Sequence, residues 1–220
     1  HINYYYNIFF IIIIYMAYNY LFKLLIIGNE NVGKTNICNR LGDRPFNSRC
    51  DQTIGVEFST CFTHIYNKIL VKCQLWDTSG KKEFSPVIDS YYKGVAGVII
   101  VYDVTNRKSF EKVSHWLNEI KKNKKDDENV NILLLGNKTD KKNRIVSWEE
   151  GNSFAIKNNC VFFETSAKGN KNIYEAKKQF CRVIYDNYDH TSGHSGIRLP
   201  TKFNLENIEQ KYDRDCCCCF

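Results

Sequence analysis

No apolar run near the start of this 220-residue sequence is long enough to cross a bilayer as a helix: residues 8–14 supply seven such positions, where about 20 are needed. That run has no Lys or Arg before it and no small-residue cleavage site after it, which argues against a secretory signal. The chain opens on His1 while Met16 begins a soluble-looking segment. Residues 1–15 therefore read as upstream translation or a gene-model artefact, with a real extension as the alternative. Ahead of the last five residues closely paired cysteines are lacking too, because Cys38, Cys50, Cys61, Cys73, Cys160 and Cys181 lie far apart. This argues against a disulfide framework and for reduced thiols in the cytosol. A basic stripe interleaved with aromatics is also missing, although the formal charge is +7. The densest basic run, Lys121, Lys122, Lys124 and Lys125, is followed at once by Asp126, Asp127 and Glu128. It reads as a solvated helix end, and no nucleic-acid partner is expected. There is no internal repeat.

What is present fits one domain with tails. Hydrophobic residues make up 43% and charged residues 25% of the chain, a balance that argues against wholesale disorder. Apolar bursts of strand length recur at residues 21–27, 71–76, 95–102, 130–135 and 161–163, with helix-length segments between most of them. The alternation predicts an α/β fold, a mostly parallel sheet covered by helices. Residues 65–71, with Tyr66-Asn67-Lys68 as a short turn, predict one antiparallel hairpin. Helical stripes appear at Phe110, Val113, Trp116, Leu117 and Ile120, and again at Ile173, Ala176, Phe180 and Ile184. Both are core-facing stripes at spacings of three or four. Beyond about Asp186 the periodicity fades, so residues 187–220 are expected to be a flexible tail.

The strongest chemical signal is Gly28-Asn29-Glu30-Asn31-Val32-Gly33-Lys34-Thr35, a phosphate loop placed after a strand and before a helix. Gly28 and Gly33 let the backbone curl so that consecutive N–H groups and a helix amino terminus face phosphate oxygens. Lys34 neutralises the β and γ charges, and the Thr35 hydroxyl is offered to Mg²⁺. Asn137-Lys138-Thr139-Asp140 follows the strand at residues 132–135, at the strand end where open α/β sheets bind ligands. A carboxylate there accepts from both N1–H and the exocyclic amine of guanine, a pair that adenine does not present, so Asp140 selects the base. Asp77, after Leu75-Trp76, is the acidic partner for the metal, and Gly80 allows close backbone approach to the γ-phosphate.

With these three motifs in place, the chain resembles the Ras-superfamily GTPases over about residues 17–186. Thr53-Ile54-Gly55-Val56-Glu57-Phe58 and Trp76-Asp77-Thr78 are similar to the Rab pattern. The resemblance implies the P-loop GTPase fold, with six strands of which one is antiparallel and helices on both faces. It also implies GTP and GDP as ligands with Mg²⁺ held by Thr35, Thr53 and Asp77. The nucleotide site it implies comprises Gly28, Asn31, Val32, Gly33, Lys34, Thr35, Asn36, Thr53 and Gly80 around the phosphates. Phe46, Asn137, Lys138, Asp140, Ser166, Ala167 and Lys168 complete it around the base. Lys34, Thr53, Gly80 and Lys81 are the candidate catalytic positions. Phe58, Trp76 and Tyr91 match the aromatic triad that Rab proteins present to effectors. An exchange factor, an activating protein and an escort protein or GDP-dissociation inhibitor are the other implied partners. Residues 17–23 resemble the opening of Rab proteins that serve traffic between endoplasmic reticulum, Golgi and endosomes.

Two departures stand out. The family normally places Gln after the second-switch glycine, where this chain reads Gly80-Lys81-Lys82, and Lys81 cannot orient water as an amide does. Glu30 and Asn31 occupy phosphate-loop positions that are small in most relatives. Their opposite charges suggest Glu30 and Lys81 as a compensating pair, against independent drift as the bland reading. Slow intrinsic hydrolysis follows, and a GTP-binding scaffold without appreciable turnover is the rival function. At the other end, Cys216, Cys217, Cys218 and Cys219 precede the terminal Phe220. Cys217 with that Phe fits a prenylation box of geranylgeranyl type, whereas Rab proteins more often modify two adjacent cysteines. The tail lacks a polybasic stretch, so a second lipid is the expected reinforcement. The expected location is the cytosolic face of endomembranes, with a cytosolic pool.

Overall fold

The computed structural model describes residues 18–50, 52–80, 90–123, 130–188 and 197–198. In chain order the elements are β1 (Tyr20–Ile27), α1 (Lys34–Leu41), β2 (Val56–Ile65), β3 (Ile69–Thr78), β4 (Gly97–Asp103), α2 (Arg107–Glu111) and α3 (Val113–Asn123). They continue with β5 (Asn131–Asn137), α4 (Trp148–Lys157), β6 (Val161–Glu164), α5 (Ile173–Asp186) and β7 (Ile197–Arg198). Among these elements no helix is long and apolar enough to cross a membrane.

The continuous apolar runs of the central strands have a direct structural meaning. Successive strand residues point to opposite faces, so a run apolar at every position serves two cores. In β1, Phe22, Leu24 and Ile26 enter one core while Leu25 and Ile27 enter the other. β4 repeats the division, with Ile99 and Val101 on the first side and Val98, Ile100 and Tyr102 on the second. Ile37 and Leu41 of α1 and Phe180 and Ile184 of α5 close the first core, and Val113, Leu117 and Ile120 of α3 close the second. Both faces of a parallel sheet are covered in this way.

The main path of the sheet runs β2-β3-β1-β4-β5-β6. β1 lies parallel to β3 on one side and to β4 on the other. β2 is antiparallel to β3, from Val56 opposite Thr78 to Ile65 opposite Ile69. Tyr66 and Asn67 both take left-handed backbone at that hairpin, with φ of 49° and 59°, the twist that suits a tight reversal between strands.

Two features differ from the sequence expectation. The sheet gains a seventh member, because Ile197 and Arg198 pair antiparallel with Phe22 and Leu21 of β1. β4 meets β1 from Leu24 onward, which leaves the opening residues of β1 a free edge, and the tail segment at Ile197 fills it. Ile197 is buried in the first core, against which Tyr188 also packs, so these tail residues dock on the body. The helical stripe at residues 110–120 is divided between α2 and α3, with the break at Lys112. Asn106 caps α2 by accepting from the Ser109 N–H, and this fixes the first turn separately.

The functional consequence of the topology is positional. Gly28 follows β1, Asp77 lies near the end of β3, Asp103 ends β4 and Asn137 ends β5. Four of the five parallel strands thus deliver these residues to one edge of the sheet.

Candidate functional site

Along that edge lies a cleft of about 360 Å³. Its lining includes Asn31, Gly33, Lys34, Thr35, Asn36, Phe46, Thr53, Gly80, Asn137, Lys138, Asp140, Ala167 and Lys168. Thirteen residues named from sequence, scattered from position 31 to 168, are therefore gathered around one space.

At one end the loop after β1 turns into α1. The first turn of α1 has no acidic residue, and Gly33, which precedes it, makes no side-chain cap. The opening N–H groups and the positive end of the helix dipole are thus available to an anion. Gly33 takes φ of 97°, and a Cβ there would come within 2.6 Å of Asn137 Nδ2, so no other residue fits between the loop and β5. Asn31 is also left-handed, with φ of 61°. Asn tolerates that conformation far better than a bulky residue would, which explains how a larger side chain is accommodated in the loop. Lys34 is buried, and its Nζ donates to Gly28 O at 2.9 Å and Asn29 O at 2.8 Å. Burial pushes its ammonium down to about 8, with Asp77 and Glu30 opposing that shift.

Beside Lys34 sits a cluster of oxygen ligands. The Thr35 and Thr53 hydroxyls are 2.9 Å apart, and Thr53 Oγ1 lies 3.5 Å from Asp77 Oδ2. Asp77 is buried, and its Oδ1 has no hydrogen-bond partner among the described residues. Desolvation raises its carboxyl to about 6 against the pull of Thr35 and Lys34. A buried carboxylate oxygen without a donor, flanked by two hydroxyls, fits a hard cation that takes oxygen ligands. Thr35, Thr53 and Asp77 would hold Mg²⁺ here. Gly80 closes this end: a Cβ on it would come within 2.3 Å of the Glu30 backbone nitrogen. Ser79 N donates to Gly55 O at 2.8 Å, which ties the Thr53 loop to the end of β3.

The other end is built for a flat, polar ring. Phe46 is half-buried against the first core and lines the cleft. Asp140 is exposed there, and Ser166 Oγ donates to its Oδ1 at 2.6 Å. Ser166 in turn accepts from Gly169 N at 2.8 Å, which fixes the rotor that orients the carboxylate.

Several residues named from sequence do not face the cleft. Val32 is buried in the first core, Ser166 is buried behind Asp140, and Gly28 packs beneath the loop against Val101. Asn137 lines the cleft but is itself buried: its Nδ2 donates to Val32 O at 2.9 Å and its Oδ1 accepts from Ala167 N at 3.2 Å. It works as a strut between the phosphate loop and the Ser166–Lys168 turn. Lys81 and Cys216 to Cys219 lie outside the described residues.

Three supporting residues escaped the sequence reading. Arg40 of α1 donates through Nε to Ala167 O at 2.8 Å and thereby props the base-facing turn. Trp116 of α3 donates to Asn29 Oδ1 at 3.0 Å. Asp103 pairs with Lys138 Nζ at 2.8 Å. For Asp103 a signal existed, since a carboxylate ends an apolar strand where ligands gather. Arg40 and Trp116 carried no local cue.

Comparisons with known proteins agree with this geometry. The Ras family model matches residues 23–186. The chain is 38% identical over 212 residues to GTP-binding protein ypt3 of Schizosaccharomyces pombe, covering 91% of this chain and 97% of that protein. It is 41% identical over 169 residues to Ras-related protein Rab11B of Nicotiana tabacum, 76% of each chain. To Ras-related protein Rab11D of Lotus japonicus it is 40% identical over 199 residues, 88% of this chain and 90% of that one.

Proposed function

The chain belongs to the Ras family, in its Rab branch, and from that premise we propose that it is a GTP-driven switch of vesicle traffic. It binds GTP and GDP with Mg²⁺, hydrolyses GTP, and works with exchange factors, activating proteins, a GDP-dissociation inhibitor and effectors. The observation that carries the reading is a single cleft with Lys34 and the start of α1 at one end and Asp140 at the other. In this reading the γ-phosphate rests against Lys34 and the backbone amides of the phosphate loop. Thr53 and Gly80 close on it from two loops already joined by the Ser79–Gly55 bond. Thr35, Thr53 and Asp77 would hold Mg²⁺, which when bound would supply charge neutralisation at the phosphates. Loss of the γ-phosphate removes what holds Thr53 and Gly80, and both loops relax together, changing which effectors bind.

Turnover is expected to be slow without help. Lys81 follows Gly80 where the family places Gln, and an ammonium donates three protons and accepts none. Unassisted hydrolysis is therefore expected at or below about 10⁻⁴ per second, the order seen for Ras alone. Glu30 lines the same end of the cleft, and in the triphosphate state it is proposed to pair with Lys81. Single-turnover hydrolysis of bound GTP by Glu30→Ala, Lys81→Gln and the double variant measures this coupling. Strictly additive effects would refute the pair, and brisk unassisted hydrolysis would remove the slow-turnover reading. A scaffold that never turns over is not favoured by the family membership, and hydrolysis with and without cell extract separates the two.

Effectors are proposed to dock on Phe58, Trp76 and Tyr91. These rings form a continuous cluster of edge-to-face and tilted contacts, with centroids 4.9 Å apart for Phe58–Trp76 and 5.1 Å for Trp76–Tyr91. Phe58 is 51% exposed and Ile54, beside Thr53, is 82% exposed, an apolar surface adjoining the nucleotide end. Trp and Tyr are favoured interface anchors. Phe58→Ala is expected to weaken GTP-dependent effector capture at least about tenfold while GDP retention stays within twofold. Unchanged capture would place the docking surface elsewhere. The chain associates with endomembranes and has a soluble pool, and the endoplasmic reticulum, Golgi and endosome route is proposed as its location.

A further inference from the structure

Lys138 leaves β5 with its backbone in the left-handed region, φ 70°. Its Nζ donates to Asn31 O, the carbonyl of the left-handed residue in the phosphate loop. The same ammonium lies 2.8 Å from Asp103 Oδ2. Asp103 ends β4 directly opposite Asn137 in the sheet register, and it is buried. Its other oxygen, Oδ1, accepts from Thr105 N at 2.8 Å and Thr105 Oγ1 at 2.7 Å. The Asp103 backbone N–H donates to Ser109 Oγ at 3.0 Å, which anchors the strand end, and the two Thr105 bonds hold the carboxylate toward the site.

The chemistry of this arrangement is directional. A lysine ammonium on a four-carbon stem is flexible and strongly hydrated, and nothing in its own sequence position obliges it to brace a peptide carbonyl. A buried, hydrogen-bonded carboxylate beside it does. Burial alone would raise the Asp103 carboxyl, but the bonds from Lys138 and Thr105 hold it below the ordinary carboxylate range. It is therefore charged whenever the switch works. Two of the ammonium's donors are then committed, one to Asp103 and one to Asn31 O, which links the base-reading strand end to the phosphate loop.

We propose that Asp103 is a positioning residue for nucleotide retention: it acts through Lys138 to lock the phosphate loop against the base site and so slows GDP release. The proposal rests on the reading of the cleft as the guanine-nucleotide site. The test follows dissociation of fluorescent GDP from the full chain in Mg²⁺ for Asp103→Ala, Lys138→Ala and the double variant. Each single change is expected to speed release about tenfold or more, and the double variant is expected to be no faster than Lys138→Ala alone. Such non-additivity is the signature of residues acting as one unit.

Release from the double variant at the product of the two single effects would overturn the proposal, since Asp103 would then be acting independently of Lys138. Unchanged release from Asp103→Ala would do the same while leaving the nucleotide site intact. No effect of Lys138→Ala would instead overturn the assignment of Lys138 to the site, and the proposal with it. Asp103→Asn, which keeps the shape and an acceptor for Thr105 but removes the charge, covers the case in which Asp103→Ala does not fold. It is expected to speed release about threefold or more, again only when Lys138 is present, and release at the unaltered rate would overturn the proposal.

Discussion

Asp140→Ala is expected to lower GDP affinity by at least about 100-fold and to abolish the preference for guanine over hypoxanthine nucleotides. A hydrogen bond to a charged group contributes about 1.5–3 kcal/mol, and the carboxylate is placed to accept two from guanine, at N1 and at the exocyclic amine. Losing both amounts to about 3–6 kcal/mol, or roughly a factor of 10² to 10⁴ in affinity. Hypoxanthine keeps N1–H but lacks the amine, so the unaltered chain discriminates against it and the variant does not. The fixed orientation of the carboxylate sharpens the effect, because Ser166 Oγ donates to Asp140 Oδ1 at 2.6 Å and is itself held by Gly169 N. Competitive displacement of fluorescent GDP by GDP, IDP and ADP measures all of this directly. GDP affinity of Asp140→Ala within threefold of the unaltered chain would show that the base is read elsewhere.

Replacing Cys216, Cys217, Cys218 and Cys219 together by Ser is expected to move the chain from membranes to the soluble fraction, a change of at least about 100-fold in partition. The proposal behind it is that these terminal cysteines carry prenyl groups. Each buried methylene contributes about 0.8 kcal/mol, and a single chain anchors only marginally, so stable binding takes two signals. With no polybasic stretch in the tail to supply the second, a second lipidated cysteine is the proposed reinforcement. Single substitutions across the four positions, assayed by flotation with liposomes after prenylation, identify which cysteines are used. Equal membrane recovery of the four-Ser chain would sink the anchor. Nucleotide retention is expected to be unaffected, because the cleft draws on residues between Glu30 and Lys168.

Much of the fold and most of the cleft lining were legible in the sequence, and the reason is locality. The phosphate loop is eight consecutive residues between a strand and a helix, and the base-reading run is four consecutive residues after another strand. Their chemistry is set by spacing along one stretch of backbone, which a sequence displays directly. The doubly buried strands were readable for a similar reason, since an apolar residue at every position has few other uses. The docking of Ile197 was not readable, because it depends on the stretch of β1 that β4 leaves uncovered.

The sequence by itself determined the alternation of strands and helices, the phosphate loop with Thr35, Asp77 as the proposed acidic partner of the metal, and Asp140 as the proposed base reader, while Thr53 came only from the family resemblance. Each of these is a residue type at a fixed offset from a strand end. The tertiary structure alone decided that Asn137 is a buried strut, that Arg40 props a turn 127 positions away, and that Trp116 reaches the phosphate loop across 87 positions. It also decided that Asp103 and Lys138 stand side by side. Such contacts arise when parallel strands bring their carboxyl ends together. Many long polar side chains could meet there, and the packing of the two cores selects which of them do.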